Sequence, residues 1–313
     1  MPAPFDTLID RVSAGGDLTC DESTHVVDQI MAGACRESQI AKALTALANK
    51  GETVEEVAGA AQAMRKHMTP IRSRYEHLLD TCGTGGGGSQ IFNVSTTAAL
   101  VVAACGVPVA KHGNRSFTSR CGSADVLAEL GVNIGASVPQ VERCLDELRI
   151  CFCFAPLMHP AMKHVAAVRK SLGIRTIFNL LGPLSNPAGA TRQLLGVGRP
   201  ALRPLLAAAL ERLDAQRALV VCGEDGLGEV TLAGVTKVTE ISQEGLQESS
   251  LSPEDFGVES RDLKSIVVRD AVESAAMVGE ALSGDPGDAR DIVVLNAAAG
   301  LMAFGSHHDP AAA

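Results

Sequence analysis

The chain has 313 residues, 46% of them hydrophobic and 20% charged, a globular balance with enough length for one large domain or two smaller ones. A net charge of −9 argues against a general polyanion binder, and 3% aromatics with no Trp against a stacking platform for single-stranded nucleic acid. No apolar run reaches membrane-spanning length, the first residues lack an export pattern, and the nine Cys form neither C-x-x-C pairs nor zinc-type spacings, so a reducing, cytoplasmic setting is expected.

In chain order, the first seventy or so residues read as helices. Thr19-x-x-Glu22 is a capping box opening a helix whose apolar side carries Val26, Val27, Ile30 and Met31, with Gly33 at its end. Ile40, Ala43, Leu44 and Leu47 make a second stripe, Thr53-x-x-Glu56 caps a third helix, and Pro70 breaks the pattern. From Tyr75 the character changes. Strands are expected at residues 77–82, 107–110, 151–155, 218–222, 230–232 and 237–241, with helices at 95–105 and 122–130 and another after Ser137. Strands alternating with helices imply an α/β domain with a mainly parallel sheet. Residues 242–269 read as a polar surface excursion and residues 307–313 as a frayed tail.

Four segments carry candidate chemistry. The first runs from Asp80 to Thr96 and packs five glycines into positions 83–88 before Asn93, Ser95 and Thr96 open a helix. Such a loop lets backbone amides approach an anion, and a helix start favours phosphate. It can also be a plain turn with a Ser cap. Its G-x-G-x-x-G match suggests a dinucleotide site, but the expected downstream acid is replaced by Ala110, Lys111 and His112. The second segment, Lys111-His112-Gly113-Asn114-Arg115, follows a strand and reads as an anion and polar-substrate platform or as a solvated basic turn. The third, from His159 through Lys163 and Arg169 to Asn179, Gly182 and Pro183, places cations on one helical face, where an Arg could fork onto a carboxylate or simply meet solvent. The fourth, residues 223–229, is an acidic glycine-rich loop suited to Mg²⁺ or to a turn.

Together these segments resemble the anthranilate phosphoribosyltransferase family of tryptophan biosynthesis. The resemblance covers nearly the whole chain and is carried by Ala46-Leu-Ala-Asn-Lys-Gly-Glu-Thr, Lys111-His-Gly-Asn-Arg and Arg175-Thr-Ile-Phe-Asn-Leu-Leu-Gly-Pro-Leu. It implies a small N-terminal helical domain, residues 1–73 completed by helices around 159–185, and a larger α/β domain, residues 74–313, of the type shared with certain nucleoside phosphorylases. It implies a Mg²⁺-dependent homodimer acting on phosphoribosyl diphosphate and anthranilate. Gly83, Gly86, Gly87, Asn93, Ser95, Thr96, Lys111 and Ser119 would bind the donor. Gly83, His112, Asn114, His159, Arg169, Gly182 and Pro183 would line the acceptor side, with Arg169 on the carboxylate. Ser95 and Glu229 would hold the metal, with Gly228 where the family has an Asp ligand.

Two departures stand out. Gly87 replaces the family's loop Asp and Gly228 its acidic partner, so weaker metal binding, a changed Mg²⁺ optimum or low activity is expected. The chain also ends soon after Leu295-Asn-Ala-Ala-Ala, short of the final helix that the resemblance leads one to expect. A related pentosyltransferase with another aromatic acceptor, and a weakened paralogue that binds phosphates or nucleic acid, are the alternatives.

Overall fold

A computed structural model describes residues 3–85, 90–115 and 121–313. Four helices come first: α1 (Phe5–Ser13), α2 (Cys20–Met31), α3 (Glu37–Lys50) and α4 (Val54–Lys66). Both threonine capping boxes form, with the Thr19 and Thr53 hydroxyls accepting from the amides of Glu22 and Glu56. Glu56 is wholly buried. Its carboxylate accepts from the Leu18 amide at 3.0 Å, the Thr53 amide at 2.9 Å and Lys50 Nζ at 3.0 Å, so one buried charge ties three segments of the helical layer.

The remainder alternates: β1 (Leu79–Gly83), α5 (Val94–Ala104), β2 (Val109–Gly113), α6 (Ser123–Glu129), α7 (Val138–Leu148) and β3 (Ile150–Phe154). Three short helices follow, α8 (Ala155–Met158), α9 (Lys163–Leu172) and α10 (Phe178–Leu181). Then come β4 (Arg192–Gly196), α11 (Leu202–Arg212), β5 (Arg217–Gly223), β6 (Thr236–Ser242), β7 (Gly245–Leu251), α12 (Ala271–Ser283) and α13 (Asp288–Phe304). Val165, Val168, Ile177, Phe178, Leu180 and Leu181 share one buried core with the N-terminal helices and α11, on one face of the sheet. Residues of α5, α12 and α13 form the core on the other face.

The sheet has seven strands in the order β3-β2-β1-β4-β5-β6-β7. The first five are parallel, and β6 and β7 turn back antiparallel. The chain steps outward from β1 to β2 and β3, then returns to lay β4 on the other side of β1. Connections leave β1 and β4 in opposite directions, which opens a crevice at their carboxyl ends. There Gly83 and Gly196 are register partners, and this topological switch point locates the site.

Two sequence expectations need correction. Residues 230–232 are not a strand: the Val230 amide donates to Asn296 Oδ1 and the Val230 carbonyl accepts from Asn296 Nδ2, both at 2.9 Å. One side-chain amide thus supplies the pairing that a neighbouring strand would give. The polar excursion contains β7, which pairs with β6 as an edge hairpin. Leu295–Ala299 lie inside the 17-residue helix α13.

Candidate active site

The crevice is a cleft of about 390 Å³ lined at the sheet ends by Gly83, Lys111, His112, Gly113, Gly196 and Gly228. Its floor is narrow because glycine meets glycine. A Cβ on Gly196 would lie 1.7 Å from the Gly228 carbonyl oxygen, and one on Gly83 would lie 3.1 Å from that of Gly196. The N-terminus of α5 opens into the cleft through Asn93, Val94 and Ser95. The positive dipole end of that helix favours an anion there.

Lys111 is buried on β2 and reaches across to β1. Its ammonium donates to the Thr81 carbonyl and lies 3.4 Å from Ser95 Oγ. Burial pulls its pKa below the ordinary lysine value, against the opposing pull of Asp80, Cys82 and Glu229. Across from it, desolvation pushes Glu229 up to about 7, against the pull of Lys111 and the Ser95 amide. Among the described residues Glu229 is the one carboxylate lining the cleft, and no three acidic, His or Cys groups converge as a metal cage. The donor set nevertheless fits Mg²⁺, which binds through one or two carboxylates, keeps several waters and takes substrate phosphates as further ligands. Glu229 and the Ser95 hydroxyl would be the protein's share. Gly228 brings no side chain, and its carbonyl is packed against Gly196.

The acceptor side is built around two histidines. Asp80 is fully buried, and its Oδ1 accepts the His112 amide at 3.0 Å. His112 Nδ1 faces the Gly182 carbonyl at 3.0 Å, and its Nε2 faces His159 Nε2 at 3.1 Å. A carbonyl only accepts, so His112 carries its proton on Nδ1 and its Nε2 accepts from His159 Nε2–H. Burial holds both rings neutral: it lowers the His112 pKa and, with His112 alongside, brings His159 down to about 3. Both nitrogens of His112 are therefore engaged within the protein, which makes the ring a fixed wall rather than a free base. Arg169, on α9, is partly buried with its guanidinium 5.8 Å from the centre of the Phe178 ring. Burial lowers its pKa, and among the described residues it pairs with no carboxylate.

Of the residues singled out in the sequence, the cleft gathers Gly83, Asn93, Ser95, Lys111, His112, Asn114, Gly182, Pro183, Gly228 and Glu229. Three stand one layer back. The buried Thr96 hydroxyl donates to Asn93 Oδ1 at 3.1 Å, His159 acts through His112, and Arg169 lies over Phe178, which itself lines the wall. Gly86, Gly87 and Ser119 lie outside the described residues. Sequence reasoning passed over Asp80 and Gly196. The signal for Gly196 was present as Leu194-Leu195-Gly-Val-Gly, a short apolar run stopping in a G-x-G.

Comparison with known proteins agrees with this geometry. Residues 6–68 match the glycosyl transferase family helical bundle domain, and residues 75–313 match the a/b domain of that family. Anthranilate phosphoribosyltransferase from Rhodopirellula baltica is 47% identical, over 96% of this chain and 88% of its own length. The crystal structure of the Thermus thermophilus anthranilate phosphoribosyltransferase superposes with a TM-score of 0.91 at 43% identity, covering 97% of this chain and 91% of that one. The Saccharomyces cerevisiae anthranilate phosphoribosyltransferase in complex with PRPP and Mg gives a TM-score of 0.89 at 28% identity, covering 98% of this chain and 90% of that one. On the strength of its fold, its cleft and these relatives, this chain belongs to the anthranilate phosphoribosyltransferase family.

Proposed function

We propose that this protein transfers the phosphoribosyl group of phosphoribosyl diphosphate to the amine of anthranilate, giving N-(5-phosphoribosyl)anthranilate and diphosphate in tryptophan biosynthesis. The observation that carries the reading is the buried Lys111 ammonium, held beside Ser95 at the N-terminus of α5 in a glycine-floored crevice. In the reaction the bond from the anomeric carbon to diphosphate breaks, and a bond from the arylamine nitrogen forms. Negative charge grows on the departing diphosphate, where Lys111 and the α5 amides stabilise it without reorganising. An arylamine is unprotonated at neutral pH, so its lone pair needs no base, in keeping with a His112 ring whose nitrogens are already engaged. Arg169 would take the acceptor carboxylate through its fork. When bound at Ser95 and Glu229, Mg²⁺ would neutralise diphosphate charge.

The proposal takes the protein as a Mg²⁺-dependent cytoplasmic homodimer divided near residues 73 and 74. No helix among the described residues is long and apolar enough to cross a membrane. That Glu229 is the one carboxylate lining the cleft among the described residues favours a second reading, a catalytically weakened relative that binds donor without turnover. Anthranilate fluorescence decides between them. It should fall only when donor and Mg²⁺ are both present; no consumption by folded protein across a broad Mg²⁺ titration would leave only the weakened relative.

A further inference from the structure

The wall formed by Gly182 and Pro183 belongs to a turn whose residues 183–187 are all buried. Its backbone groups have little access to water and need protein partners. Three consecutive carbonyls find them on three different elements. The Gly182 carbonyl accepts from His112 Nδ1 on β2 at 3.0 Å, that of Pro183 from Gln193 Nε2 on β4 at 2.7 Å, and that of Leu184 from Arg65 Nε on α4 at 2.7 Å. The Gln193 amide nitrogen also donates to Cys82 Sγ at 3.0 Å, next to Gly83 on the floor. Arg65 is partly buried, which lowers its pKa against the pull of Asp214, and among the described residues it forms no ion pair. A guanidinium from the helical layer is thus committed to one main-chain carbonyl beside the cleft.

We infer that Arg65 and Gln193 are positioning residues for the acceptor: with His112 they hold residues 182–184 from three sides and set the width of the acceptor half of the cleft. Neither side chain lines the cleft, so each acts through the turn. Arg65 also makes the helical layer part of the site, since a shift of α4 relative to the sheet moves the Leu184 carbonyl and the wall next to it. The inference rests on the reading that anthranilate packs against Gly182 and Pro183. It predicts an asymmetry, because the donor half is built on β1, β2 and α5 and does not depend on this turn.

The test is steady-state kinetics on Gln193→Met and Arg65→Met, with KM for anthranilate and KM for the donor measured separately and thermal melts run beside them. KM for anthranilate should rise on the order of tenfold, the effect of losing a buried hydrogen bond that positions a wall, while KM for the donor stays within about twofold. Arg65→Lys, which can still donate to the Leu184 carbonyl, should recover part of the loss. If either methionine variant fails to fold, Arg65→Lys and Gln193→Asn, which withdraws the amide by one methylene, carry the same comparison. Unchanged KM values in folded variants, or both rising in parallel with a falling Tm, would show an architectural role only and overturn the inference. Wild-type protein that consumes no anthranilate would overturn the functional reading as well, so the two failures are distinguishable.

Discussion

Replacing Lys111 by methionine should lower kcat/KM for the phosphoribosyl donor by on the order of 10²–10³-fold, the usual loss when one preorganised donor to a developing anion is removed. The ammonium is the one cation that the described structure buries beside the floor, fixed by the Thr81 carbonyl and close to Ser95. Methionine fills much the same volume, so the loss would be of charge rather than shape. It would also remove the cation beside the fully buried Asp80 and the partly buried Glu229. Lys111→Arg should not restore activity, since a planar five-donor fork has no room where a single ammonium is enclosed. Steady-state rates at varied donor, with circular dichroism to establish folding, make the measurement. Wild-type kcat/KM in folded Lys111→Met would remove the lysine from the mechanism.

Gly196→Ala should be nearly as damaging, although the residue carries no functional group. The added methyl would meet the Gly228 carbonyl at 1.7 Å, and both groups belong to backbone that no rotamer change can move aside. Residues 228 and 229 must therefore retreat by about 1 Å or more, and a displacement of that size costs on the order of 10²-fold in rate when it moves a binding group. Glu229 moves with them, so the concentration of Mg²⁺ needed for half-maximal rate should rise as well. Stability should fall by about 1–3 kcal/mol, as for other overpacked sites. Gly279→Ala is the control, since a Cβ there meets nothing within 4 Å. If Gly196→Ala behaves like that control in rate and in Mg²⁺ requirement, the close approach of the two loops is not what holds Glu229 in place.

The parts of the site that were legible in the sequence are those marked by punctuation. Glycines after β1, a lysine and histidine ending β2, and an acidic glycine loop after β5 each interrupt an apolar run, and each lies at a carboxyl end of the sheet. The capping boxes at Thr19 and Thr53 were legible for a similar reason, because their partners are three residues away. What escaped depends on distant partners. The strand β4 begins with Arg192 and Gln193, which leaves only Leu194 and Leu195 as an apolar run before Gly196. Only its place between β1 and β5 makes it central. The edge strand β7 has nearly every side chain exposed, so it lacks the apolar alternation that marks a half-buried strand. Residues 230–232 look like a strand because they are buried, yet their pairing partner is a side chain 66 positions away. The role of Asp80, too, depends on a contact 32 residues distant, to the amide of His112.

A crystal structure with phosphoribosyl diphosphate and Mg²⁺ bound tests the central claim most directly. The diphosphate is predicted to lie within hydrogen-bonding reach of Lys111 Nζ and of the amides opening α5, with Mg²⁺ between it and Glu229. A donor seated elsewhere, or one whose diphosphate lies beyond the reach of Lys111, would contradict the account.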